Sequence, residues 1–333
     1  MDWHLGFTAA FYACMVDPGT WGDKKRVEIT GGTISRVDSD LKESADIACI
    51  RYREGTDKYI RIWMDTRQSG KSEHVALFTG LTSKPKRDID GLREDNRVQC
   101  YSVLKPAQDV LLKRGYYAAK GFKSGDEIKK LLRVCPAPVS IDEGSPRLAQ
   151  HIVAEEGETC LTMVYKILDV IGWRLVIDGY GRIRVCPHAS QPIDTFDPLR
   201  NDIIEPQISV ENDWFDCPNV FRAVSENGSA EVKDESGSDL SVEKRGREVW
   251  KEETNVSLAA GETLLTYAKR RLSELQSIST RASYKRRFRP DIAPSDLIRL
   301  NYPAQELSGI FYVESQKIEL GYGATTSEEV RQA

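Results

Sequence analysis

The stretch Trp173-Arg-Leu-Val-Ile-Asp-Gly-Tyr-Gly-Arg-Ile-Arg-Val-Cys186 reads as two short strands joined by a tight turn at Gly179-Tyr180-Gly181. Just upstream, Gly157-Glu158-Thr159 opens a run in which Leu161, Val164, Leu168 and Ile171 recur at helical spacing and share one face. A helix feeding a hairpin is a compact packing unit, and no catalytic cluster sits on it. Working outward, the same character recurs: well-patterned structure without an evident chemistry.

Toward the N-terminus, between Lys25 and Val103, six short alternating runs are separated by Gly, Asp and Ser turns: Val27–Thr30, Ile34–Val37, Ala45–Ile50, Tyr59–Met64, His74–Phe78 and Arg97–Val103. Close spacing of this kind predicts a small antiparallel barrel or sandwich over residues 1–103. At Lys105-Pro106 the period changes, and Val110, Leu111 and Arg114 are expected to continue a helix from there. Ser124-Gly-Asp-Glu127 has the spacing of a capping box ahead of Ile128, Leu131 and Leu132, with Pro136 and Pro138 ending that helix. Residues 104–204 thus form an α/β middle region.

Residues 205–333 return to β with one helix. Gln207–Val210 and Asn219–Val224 are strand-like, and the polar run from Ser225 to Ser241 reads as an exposed hairpin tip or mobile loop. Leu264, Ala268, Leu272 and Leu275 stripe a helix over Gly261–Gln276. Ile278–Phe288, Leu297–Tyr302 and Ile310–Leu320 follow as strands; in the first, Ile278, Ala282, Tyr284 and Phe288 share one face, and Arg281, Lys285, Arg287 and Arg289 the other. No tandem repeat is evident by motif. The expected fold class is α+β multidomain, two β-barrel-like domains flanking an α/β insert. A length of 333 residues agrees, at roughly 100–200 residues per domain.

Composition excludes several classes. Charged residues at 29%, hydrophobic ones at 40% and a net charge of −4 describe a globular chain without a global basic excess for nucleic acid. The apolar start Leu5–Cys14 lacks a preceding basic cluster and runs into Asp17-Pro18, so neither signal peptide nor membrane anchor is expected. Seven scattered cysteines without C-x-x-C point to buried thiols in a reducing compartment. Ser69-Gly-Lys-Ser72 ends like a P-loop, but Asp65 stands where the loop needs glycine. His4, His74, His151 and His188 have no His or Cys at ligand spacing, and no G-x-S-x-G occurs. Adjacent acids Glu155-Glu156, Glu252-Glu253 and Glu328-Glu329 read as solvated surface, because adjacency does not put two carboxylates across one glycosidic bond. No catalytic residue, cofactor or metal is therefore expected. A basic strand at 281–289 leaves nucleic-acid binding as an alternative, and a cell-wall hydrolase as another.

In order along the chain, several pieces resemble the baseplate hub protein of contractile phage tails and tail-like particles, of the Mu-like and Gram-positive prophage type. They are Leu77–Leu81, Val98–Pro106, the Gly157-Glu-Thr159 helix with Gly172–Gly179, Lys244–Arg247, and Leu300–Val313. The resemblance spans nearly the whole chain and implies two tube-like β domains per subunit. It also implies a homotrimer that adapts a six-fold tail tube to a three-fold central spike. Its implied partners are the spike, the tail tube or a tube-initiator protein, the tape measure and baseplate wedge proteins; its implied location is the virion tail baseplate, assembled in the bacterial cytoplasm. No catalytic residues come with it. From alternation alone, Tyr59–Met64 and Ile278–Phe288 are expected to line or border the ring. Tyr59, Arg61, Trp63, Arg281, Lys285, Arg287 and Arg289 are the candidate interface residues.

Overall fold

The computed structural model describes residues 1–39, 41–50, 52–90, 93–199, 203, 208–212, 214–226, 228–256, 258, 261–277, 280–305 and 307–333. The first segment contributes β1 (Thr8–Val16), β2 (Asp23–Val27), β3 (Ile29–Val37), β4 (Glu43–Ile50), β5 (Tyr59–Gln68), β6 (Lys71–Thr82), β7 (Lys86–Asp90) and β8 (Arg93–Ser102). The middle contributes α1 (Lys105–Asp109), β9 (Tyr117–Ala118), α2 (Ser124–Leu131), β10 (Val139–Ile141), β11 (Ile152–Val153), α3 (Cys160–Ile171), β12 (Trp173–Ile177) and β13 (Ile183–Pro187). The last contributes β14 (Thr195–Phe196), β15 (Ser209–Asn212), β16 (Val220–Ser225), β17 (Gly228–Lys233), α4 (Val242–Arg245), β18 (Trp250–Glu253), α5 (Leu264–Ser277), β19 (Thr280–Arg286), β20 (Leu297–Tyr302), β21 (Leu307–Glu319) and β22 (Thr326–Gln332).

The first and last segments share a single sheet, ordered β15-β19-β22-β21-β3-β4-β8-β6-β5-β1-β2, instead of forming two separate barrels. The link is antiparallel pairing of Ser315–Glu319 on β21 with Thr33–Val37 on β3. Among the described residues the sheet stays open, ending on β2 and β15. It curls nonetheless: Ala13 of β1 and Ile34 of β3, which lie apart in the strand order, bury together with Ile62, Phe78 and Val98 in one core. Phe288, Ile318 and Leu320 of the last segment enter that same core.

The quoted hairpin forms as read, with Trp173↔Pro187 through Ile177↔Ile183 in antiparallel register, and β10 adds parallel to β13. Thr159 caps α3 by accepting the Thr162 N–H at 3.1 Å, and Gly172 ends the helix in the left-handed region at φ 65°. Thr263 caps α5 in the same manner, accepting the Thr266 N–H at 3.2 Å. A Gly-Glu-Thr-x-Leu-Thr start thus occurs twice, at 157 and 261, a recurrence the motif reading passed over. The buried stripe Ala268 and Leu272 of α5 packs on Phe221 and Ala223 of β16, giving residues around 220–277 a small core of their own.

Some expectations shift. The helix from Lys105 stops at Asp109, because Val110 turns extended and its carbonyl accepts the Cys160 N–H at the start of α3. The capping box at Ser124 does not form. Lys123 is the N-cap residue, while the buried Ser124 hydroxyl donates to the Pro146 carbonyl at 2.8 Å and Glu127 accepts from Lys130 at 3.0 Å. Gln207 and Ile278 lie outside the described residues. The polar run 225–241 holds a strand and a built turn: β17 pairs with β16, and Asp234 accepts from Ser236, Ser238 and Gln276.

Candidate functional site: the junction of three segments

The tip of the β12–β13 hairpin presses into the first segment. Asp178 closes the turn by accepting the Arg182 N–H at 2.9 Å, and Gly181 takes φ +72°. A Cβ on Gly179 would stand 1.8 Å from the Ala76 carbonyl oxygen of β6, so only glycine permits this approach. Thr79 donates its hydroxyl to the Gly179 carbonyl at 2.8 Å, and the Trp21 indole donates to the Tyr180 carbonyl at 2.8 Å.

Three of the expected interface residues are spent on this seam within the chain. Arg61 is 4% exposed; it donates to Thr79 at 2.9 Å, to Asp23 at 2.6 Å and to the Trp21 and Tyr180 carbonyls. Trp63 donates to the second Asp23 oxygen at 2.8 Å and meets the Tyr180 ring edge-on. Tyr59 is buried in the core of the middle region and packs on Trp21.

The basic strand behaves differently from its pattern. Ala282 and Tyr284 are buried as expected, but so is Arg286 between Tyr284 and Phe288. Arg286 forms a two-pronged ion pair with Glu328, at 2.8 and 2.6 Å, and Glu328 also accepts from Tyr284 and Gln316 at 2.7 Å each. This corrects the reading of Glu328 as solvated: the residue is 1% exposed. Burial works to raise its carboxyl, yet the Arg286 charge and these hydrogen bonds hold it below the usual range. Of the four cations singled out, Arg281 is exposed and reaches Glu314 at 3.5 Å, and Lys285 is half-buried. Arg287 donates to the His4 carbonyl at 3.3 Å. Arg289 lies past the strand, buried, and is neutralised by Asp291 and Asp194 at 2.7 and 2.8 Å. Tyr284, tied to Glu328, is not available to stack on a base.

The remaining motifs take structural places. Ser69-Gly70 is the two-residue turn of the β5–β6 hairpin, both residues at positive φ. Glu253 is held by Arg271 at 2.7 Å and by Tyr267 at 2.8 Å. Six of the seven cysteines are buried and all are free thiols. Among the described residues no group of three or more His, Cys, Asp or Glu is placed to hold a metal, and no helix is long and apolar enough to cross a membrane.

One buried acid of β4 makes a pH response. Glu43 is 4% exposed, and burial pushes its carboxyl up to about 8, with Arg36 pulling it down and Asp178 pushing it further up. The folded protein therefore holds a proton that the unfolded chain releases nearer the ordinary carboxylate range. Folding stability should fall as pH rises from the ordinary carboxylate range to about 8, and level off above it. Denaturant titrations from mild acid up to about pH 8 should show this slope in the wild type and lose it in Glu43→Gln; an unchanged slope in that variant would assign it elsewhere.

Comparison with solved structures covers the whole chain. A tail protein from Neisseria meningitidis superposes with a TM-score of 0.72 at 15% identity, over 98% of this chain and 97% of that one. The fold is that of phage tail proteins. A 43 kDa tail protein of prophage MuSo2 from Shewanella oneidensis superposes at 0.70 and 12% identity, over 97% and 98% of the two chains. A Listeria monocytogenes prophage tail protein gives 0.59 at 12% identity, over 99% and 95%. No protein-family model matches the sequence, and comparison with curated proteins gives no match. Near-complete coverage in both directions means that the tail-protein fold accounts for all three segments, the middle one included.

Proposed function

We propose that this chain is a structural subunit of the baseplate of a phage tail or tail-like injection machine, the hub that adapts a six-fold tail tube to a three-fold spike. The observation that carries this is end-to-end similarity to tail proteins, at 98% of this chain and 97% of the Neisseria one. The shared sheet supports it, since β3–β21 pairing makes the two β regions one continuous wall. On this reading residues 1–103 and 205–333 form the ring and 104–204 stands outside it. Its partners are two further copies of itself, the central spike, the tail tube or tube initiator, the tape measure and wedge proteins, and its place is the virion baseplate. The role is architectural, without catalysis. Closed symmetry makes each subunit repeat one contact around the ring.

Light scattering behind a sizing column tests this. The purified protein should contain three copies of the 37.5 kDa chain, either alone or in the complex formed once the spike protein from the same gene cluster is added. A monomer that ignores the spike would remove the hub reading. The hydrolase alternative is weakened because Glu253 and Glu328 are already committed to arginines. The nucleic-acid alternative is weakened by the neutralised Arg289.

A further inference from the structure

Where the three segments meet they form an open cavity of about 570 Å³, walled by β3 and β6, the β12–β13 hairpin, and the Phe288–Asp296 stretch. That is ample for a short run of side chains. Four guanidiniums line it, Arg36, Arg174, Arg182 and Arg184, against two carboxylates, Asp178 and Asp296. Two of the four are already matched: Arg174 reaches Asp296 at 3.1 Å, and Arg184 makes two 2.8 Å bonds to Asp142.

The other two are not. Among the described residues neither Arg36 nor Arg182 has a carboxylate at ion-pair distance; Arg36 donates to the Leu77 carbonyl, and Arg182 lies over the Tyr180 ring at 4.8 Å. Arg36 is only 9% exposed, and its Nε is buried without a partner, as is that of Arg174. The acids Glu43 and Asp178 act on Arg36 only from beyond ion-pair distance, and burial disfavours the charged form of Glu43. A buried guanidinium left without a counter-charge is costly, and its planar fork suits an oxyanion. Val176, Ile177 and Phe288 add apolar wall between the cations, which suits the side chains flanking an acid in a peptide better than a lone small anion.

We infer that this cavity takes an acidic peptide segment of another protein, with Arg36 and Arg182 supplying the charge that holds its carboxylates. The inference stands on the cavity and does not need the tail reading. A segment seated there touches all three parts of the chain at once and so fixes their arrangement.

The test is a fluorescence titration of the full chain with the labelled peptide Ac-DEDE-amide, its uncharged counterpart Ac-NQNQ-amide, and inorganic phosphate as competitor. The acidic peptide should bind, weaken as sodium chloride is raised, and lose about 10-fold or more in affinity in Arg182→Ala. Arg182 is exposed at the hairpin tip and its turn is held by its backbone, so the fold survives this change. Slowed hydrogen exchange in β3 and β12 on peptide addition supplies a second readout that needs no variant. Equal binding of the uncharged peptide, salt-independent binding, or unchanged affinity in Arg182→Ala would overturn the inference. Binding of phosphate with none of the peptide would also overturn it, in favour of a small-anion site.

Discussion

Replacing Glu328 with Gln should cost about 3–5 kcal/mol of folding stability, the usual loss when one partner of a buried ion pair is removed. The size follows from what is left behind. Arg286, 1% exposed, keeps its charge with no carboxylate to meet it, and because Tyr284 and Gln316 donate to different oxygens of Glu328, the amide leaves one of the two without its acceptor. Both partners are buried, and Phe196 lies over the guanidinium at 5.7 Å, so the charge left behind sits in a largely apolar core. Urea unfolding is the measurement, and a variant within about 0.5 kcal/mol of wild type, as for an ordinary surface change, would show the pair to be incidental. The double change Arg286→Met with Glu328→Leu should recover most of the loss, because it removes both desolvation terms together. The pH sign agrees. The Glu328 carboxyl is held low in the folded state, so its contribution is complete above the unfolded carboxylate range and disappears as pH falls through the folded value.

Gly179→Val should release the hairpin from the first segment. The new Cβ would fall 1.8 Å from the Ala76 carbonyl oxygen and 2.5 Å from its carbon, and neither backbone can yield without breaking a sheet. Overpacking usually costs about 1–3 kcal/mol, and more where the obstacle is backbone. Here lifting the tip also takes away the Tyr180 carbonyl from Trp21 and Arg61, leaving a buried guanidinium one acceptor poorer. Hydrogen exchange should rise together in β6, β12 and β13, and limited proteolysis should begin to cut around residues 178–182. Gly55→Ala, at a position with nothing within 4 Å, is the matched control. Protection unchanged in the valine variant would mean that the tip does not hold the segments together.

What could be read from the chain beforehand is what neighbours in sequence impose on each other. Leu161, Val164 and Leu168 bury one face of α3 because side chains at three and four residues' spacing share a face, and Thr159 and Gly172 close its ends by local hydrogen bonding and φ. The strand runs through β3, β4, β5, β6 and β8 showed themselves by alternation. β1 did not, because Leu5–Cys14 is nearly all apolar and its strand pattern is hidden. β22 did not either: Thr-Ser-Glu-Glu-Val-Arg-Gln reads as solvated until Glu328 is seen to face inward. At the candidate site, the glycines of the hairpin turn were visible, but what they approach was not.

The sequence by itself therefore determined the kinds of element and their order, and the absence of any patterned catalytic set, since periodicity and capping act over a few residues. Only the tertiary structure decided that β21 joins β3, that Arg61 and Arg286 are buried, and that Arg36 faces a cavity lacking its counter-charge. The physical reason is that a strand edge or a guanidinium has the same local pattern whether it meets water or protein. Its partner lies far along the chain, and only the fold brings the two together.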